Sequence, residues 1–100
     1  MAKPRITVVI KKDEQGEPAE VFFYLNPEGR DQLVGELQHL SEKSDHFHME
    51  PEEWAMEVPL RMIPYEEGEI IPGHVKMMFR TDDWDRQYFP HVMKESDAGA

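Results

Sequence analysis

The chain has 100 residues, 11 of them Lys or Arg and 21 Asp or Glu, for a formal net charge of −10 with five His neutral. That surplus repels phosphate backbones and excludes nucleic-acid binding by the usual basic patch. With no Cys in the chain, disulfides, thiolate metal sites and Cys nucleophiles are excluded as well.

One domain is expected at this length. Area scaling gives a folded surface of roughly 5,900 Å² against about 17,000 Å² unfolded, enough for one modest core. The charge is unevenly spread. Residues 1–12 hold Lys3, Arg5, Lys11 and Lys12 and no acid, whereas residues 26–53 hold eight acids against Arg30 and Lys43. An acidic middle section steers a basic partner by raising association rates.

Ile6 to Ile10 is a β-branched run, Ile6-Thr7-Val8-Val9-Ile10. It is too short for a signal or membrane segment, so a soluble, cytoplasmic chain is expected. Alternation from Arg5 to Lys11 predicts a first strand, with Ile6, Val8 and Ile10 on one face. Asp13 to Pro18 carries both breakers and predicts a hairpin loop. Ala19 to Leu25 predicts the returning strand, Val21, Phe23 and Leu25 facing one way and Phe22 and Tyr24 the other.

Asn26-Pro27-Glu28 combines a cap residue, Pro at the first helical position and an acid at the positive end of the dipole. A helix is predicted from Pro27 to about Glu42, with Leu33, Val34, Leu37 and Leu40 on one arc. Asp31, Gly35 and Glu42 fall on the opposite, mainly acidic arc. Ser44 to Met49 predicts a strand with Phe47 and Met49 on one side and His46 and His48 on the other. Glu57 to Met62 predicts an edge or bulged strand, because Pro59 cannot donate to a ladder. His74 to Arg80 predicts the last strand, followed by a short capped helix at Thr81-Asp82-Asp83-Trp84 that Pro90 stops. Residues 94–100 read as a disordered tail.

The order β-β-α-β-β-β with a short C-terminal helical piece predicts an α+β fold, a mostly antiparallel sheet of about five strands with one helix on one face. The inner face is expected to hold Ile6, Val8, Ile10, Val21, Phe23, Phe47, Met49, Leu60, Val75, Met77 and Phe79. The outer face is expected to hold Val9, Phe22, Tyr24, His46, His48, His74, Lys76 and Met78. Trp54 and Trp84 are expected to be core anchors, and most methionines core-facing.

Two His at i, i+2 on a strand point to one side, so His46 and His48, with His74, Asp45 or Glu57 as a third ligand, could share a metal such as Zn²⁺. The commoner reading is exposed or hydrogen-bonded histidine. No G-x-S-x-G elbow, Gly-rich phosphate loop or H-E-x-x-H occurs, so binding rather than turnover is expected. Candidate binding residues are Asp31, Gly35 and Glu42 on or near the helix, and Phe22, Tyr24, Asp45, His46, His48 and His74 on the sheet.

The residues Leu25, Pro27, Glu28 and Gly29, then Asp45, His46, His48 and Met49, carry a pattern that resembles the bacterial immunity protein 32 family of polymorphic-toxin systems. The likeness spans the second strand to the His strand. It implies a binding function, the neutralisation of a toxin domain by covering its active surface, with a basic toxin a suitable partner for an acidic inhibitor. Two other functions stay open beside it: a His-based metal-binding domain or small metalloenzyme, and a small-molecule-binding or regulatory domain. The chain is expected as a monomer or weak homodimer.

Overall fold

The computed structural model describes residues 2–94; the expected tail, residues 95–100, lies outside the described residues. Strands β1 (Ile6–Lys12) and β2 (Pro18–Leu25) form an antiparallel hairpin in which Val8 faces Phe23 and Ile10 faces Val21. Asp13 closes its loop. The Asp13 carboxylate accepts from the Gln15 and Glu17 amides at 2.9 Å each, and Gly16 supplies the left-handed turn at φ 81°.

Helix α1 (Pro27–Gln38) starts where the cap chemistry predicts. Asn26 knits that start to the first strand. Its Oδ1 accepts from the Gly29 amide (2.7 Å) and the Arg5 amide (2.8 Å), and its Nδ2 donates to the Lys3 carbonyl (2.8 Å). The helix ends four residues before the predicted Glu42. Ser41 takes over the backbone there: its amide donates to the Ser44 carbonyl at 3.0 Å, and its Oγ accepts from the Ser44 amide at 3.1 Å. Such local bonds offer the chain an alternative to another helical turn.

Strands β3 (His46–Pro51), β4 (Val58–Leu60) and β5 (Val75–Met78) form a second sheet in the order β4-β3-β5. The β3–β5 pair is antiparallel and the β3–β4 pair parallel. Pro59 sits on the edge strand, as its missing donor requires. The fold is α+β with about five strands, divided into two sheets. Three backbone bonds tie β1 to the segment that follows β4: the Arg61 amide donates to the Ile6 carbonyl at 2.7 Å, and Ile10 and Ile70 bond each other's backbones at 2.8 and 3.1 Å. Helix α2 (Asp82–Tyr88), capped by Thr81, and a 3-10 turn at Pro90–Met93 complete the described chain.

The core is Ile6, Val8, Phe47, Met49, Val58 and Leu60, with Leu33, Leu40, Val75 and Met77 packed against it. Only part of the expected inner face is enclosed. Val21 and Phe23 remain 58% and 46% exposed, because β2 lies outside the cover of α1, while Val9 and Thr7 on the opposite face are buried. On that second face the loop of residues 61–70 folds back, and Tyr65 stacks on Tyr24 with ring centroids 3.9 Å apart. Lys11 lies over the Phe22 ring and pairs with Glu66 at 3.1 Å.

The helix also turns differently from its predicted arc. At about 100° per residue, Gly29 and Leu33 fall on one narrow arc, which faces the sheets, and Leu40, just beyond the helix, packs against the same core. Val34 and Leu37 lie to one side of that arc and stay exposed. Both Trp54 and Trp84 are exposed rather than core anchors, and Met56, Met62 and Met78 are exposed as well.

Candidate functional site

Strand β3 sends alternate side chains to opposite sides, so Phe47 and Met49 enter the core and His46 and His48 face outward. In the β3–β5 register His48 lies opposite Lys76, and His46 opposite Met78. His74, just before β5, stacks on His48 with ring centroids 5.0 Å apart, and His48 Nδ1 lies 2.8 Å from His74 Nε2. One of these nitrogens donates and the other accepts. The His46 ring meets His48 edge-on at 5.1 Å.

Asp45 anchors the near end of this row. Its Oδ1 accepts from His46 Nδ1 at 2.8 Å, so that nitrogen carries the proton, since a carboxylate can only accept. Its Oδ2 accepts from Arg80 Nη1 at 3.1 Å. The hydrogen bond from His46, and after it the positive charge of Arg80, hold the Asp45 carboxyl below its ordinary range against the opposing effect of burial. The Phe79 amide donates to the Asp45 carbonyl at 2.7 Å, which fixes the chain as it leaves β5. The guanidinium of Arg80 in turn lies 5.1 Å from the Trp84 ring centroid, within cation–π range.

These contacts form the floor of a cleft of about 390 Å³ between the α1–β3 connection and the start of α2. Its carboxylates are Glu42, Asp45 and Asp83, and its apolar walls are Phe79 and Trp84. Thr81 caps α2 by accepting from the Trp84 amide at 3.1 Å, which places the indole at the cleft mouth. Tyr88 packs 4.5 Å from Trp84, and Phe89 and Val92 continue the exposed apolar surface. Arg80 is matched by Asp45 and Asp83 accepts from Arg86 at 2.7 Å, so Glu42 is the carboxylate that leaves the cleft negative. Such a site suits a cationic side chain seated against an aromatic ring.

The structure brings together Asp45, His46, His48 and His74, and places Glu42 beside Asp45 at the cleft. The other candidates lie elsewhere. Phe22 and Tyr24 are engaged by Lys11 and Tyr65 on the first sheet. Asp31 pairs with its neighbour Arg30 at 3.0 Å, and Gly35 faces open space.

The three-histidine metal set does not form: among the described residues no three His, Asp or Glu side chains converge to hold an ion. Two nitrogens on one Zn²⁺ with bonds of about 2.0–2.1 Å at a tetrahedral angle sit roughly 3.3 Å apart. The 2.8 Å His48–His74 separation is instead that of a hydrogen bond.

Sequence reading missed Phe79, Arg80, Asp83 and Trp84 as site residues. The cap signature of Thr81 was the available signal, because it predicts where the Trp84 amide, and hence the indole, is held. No family model, curated protein or solved structure matches the chain.

Proposed function

We propose that the chain is a small acidic protein-interaction domain, and that its aromatic-walled cleft captures a basic segment of a protein partner. The observation that carries this reading is the exposed Trp84 indole in the same cleft as the Glu42 carboxylate, which has no cationic partner among the described residues. A rigid, half-exposed aromatic flanked by charge is the usual composition of an interface anchor. The net charge of −10 adds long-range steering toward a basic surface. Together with the L-x-P-E-G and D-H-x-H residues, this supports an immunity-type role in which a cytoplasmic inhibitor masks the working surface of a toxin domain.

The test is co-expression with, and titration against, any basic protein domain encoded beside its gene. A one-to-one complex that protects cells and weakens with salt is expected. Trp84→Ala should weaken binding about thirtyfold, the effect of losing an anchor worth about 2 kcal/mol, and Glu42→Lys should slow association. Absence of any protein partner among neighbouring gene products, or a complex indifferent to both substitutions, would refute the proposal.

A further inference from the structure

The basic start of the chain builds a cavity opposite in character to the Trp84 cleft. Arg5, Thr7, Arg61, Ile63, Pro64 and Tyr65 line about 330 Å³, and none of them belongs to the first cleft. Alternation on β1 sends Ile6 and Val8 into the core, so Arg5 and Thr7 share the other face. The bond from the Arg61 amide to the Ile6 carbonyl sets residues 61–65 alongside them. The far wall is pinned from within. Tyr65 stacks on Tyr24, and the Tyr65 and Glu66 amides both donate to Oε1 of Glu69 at 2.8 Å, a side chain only 3% exposed.

The way charges are sorted marks this cavity as an anion site. Of the five Arg, Arg30, Arg61, Arg80 and Arg86 pair with carboxylates, whereas Arg5 has no carboxylate partner among the described residues. Arg61 is loosely committed, through a single long bond of 3.4 Å from Nη1 to Glu52, and a guanidinium carries five N–H donors. No Asp or Glu lines the cavity, although 21 of the 100 residues are acidic. Thr7, 1% exposed, is the one buried polar residue among the described residues, and it lines this cavity.

We propose that the cavity binds a small organic anion, an oxyanion headgroup carried on an apolar body of about one ring. The Arg5 guanidinium takes two oxygens of the headgroup side by side, the geometry that carboxylates and phosphates share. Arg61 adds a second positive charge from the facing segment, and the Thr7 hydroxyl offers a further donor. Ile63, Pro64 and Tyr65, all exposed, cover the apolar body. The volume lies at the small end of ligand pockets, about 300–1,000 Å³, which suits a single ring. This ligand is opposite in charge to the partner of the Trp84 cleft, so the two proposals stand or fall separately.

Calorimetric titration and amide shifts in proton–nitrogen NMR, at low salt, test the site with phenylacetate, phenyl phosphate and benzylamine. Both anions should bind saturably at millimolar concentrations, with shifts gathered at Thr7, Arg61, Ile63 and Tyr65. The tighter of the two identifies the headgroup. Benzylamine has the same ring with a positive head and should not bind there. Arg5→Met keeps the apolar stem and both backbone bonds to Asn26. It should weaken anion binding about tenfold or more, the loss of a charge-assisted pair, with Tm retained. Arg86→Met, outside the cavity and paired with Asp83, should leave anion binding unchanged. Flat titrations with both anions, benzylamine binding with the same shifts, or equal weakening by the two Arg variants would overturn the proposal.

Discussion

Two glycines of α1 should respond to alanine with opposite signs. A Cβ on Gly29 would lie 2.6 Å from the Arg5 carbonyl oxygen, 2.9 Å from Ile6 Cγ1 and 3.0 Å from Asn26 Oδ1, where ordinary contact begins at 3.4 Å. The nearest of these atoms is backbone, held by its bond from the Asn26 amide at 3.1 Å, and cannot rotate aside. The first turn of the helix must move, and the 2.7 Å bond from the Gly29 amide to Asn26 is lost with it. Overpacking costs about 1–3 kcal/mol and a lost cap about 1 kcal/mol. The gain in helix propensity returns about 1 kcal/mol. A net loss of about 2 kcal/mol lowers Tm by about 8–16 °C in a domain of this size.

At Gly35 a Cβ meets nothing within 4 Å. Gly35→Ala should therefore stabilise by about 0.5–1 kcal/mol, through helix propensity and a less flexible unfolded chain. Thermal and urea unfolding followed by circular dichroism measures both variants against wild type. If Gly29→Ala melts at or above the wild-type temperature, or if both substitutions shift Tm the same way, the close approach of α1 to Arg5 is wrong.

Asn26→Ala removes the cap and the link to β1 together, and should cost about 2 kcal/mol by urea midpoint; Asn26→Asp keeps both accepted bonds, loses only the donation to Lys3, and should cost about half as much. Equal losses in the two variants would contradict the bonding described for Asn26. Acid should unfold the chain through Glu69 and Asp45. The Glu66 amide, then the Tyr65 amide and Lys11, hold the Glu69 carboxyl below its ordinary value of 4.5, while His46 and then Arg80 lower Asp45 below 3.8. Groups lowered on folding stabilise fully above their unfolded pKa and lose that contribution as pH falls through the folded one. Urea midpoints should therefore begin to drop as pH passes below 4.5, and Glu69→Gln should flatten the drop; an unchanged slope in that variant would refute the role of Glu69.

Local chemistry made some of this legible. Asn26-Pro27-Glu28 starts the helix where capping rules place it, and alternation from His46 to Met49 separates core from surface correctly. Asp45, His46, His48 and His74 were identified from residue type and spacing, and they do meet. What escaped depends on distant segments. Whether Val9 or Val21 is enclosed is decided by the loop of residues 61–70, which has no periodicity of its own. The Arg80–Asp45 pair joins residues 35 positions apart, and no local pattern announces it. The parallel β3–β4 pairing likewise depends on how residues 52–57 turn, where the sequence offers only Pro51 and a run of acids.

The bonds that join Ile6 to Arg61 and Ile10 to Ile70 have a consequence in time. They close loops of 55 and 60 residues, and that conformational entropy must be surrendered before the contacts give anything back. During synthesis the β1–β2 hairpin and α1 are complete while the far edge of β1 still has no neighbour. Only when Ile70 has emerged can all three of that edge's bonds form. Folding should accordingly be gated by this late closure and run slower than that of a helical bundle of equal length. Stopped-flow refolding as fast as such a bundle would show that the closure is not the slow step.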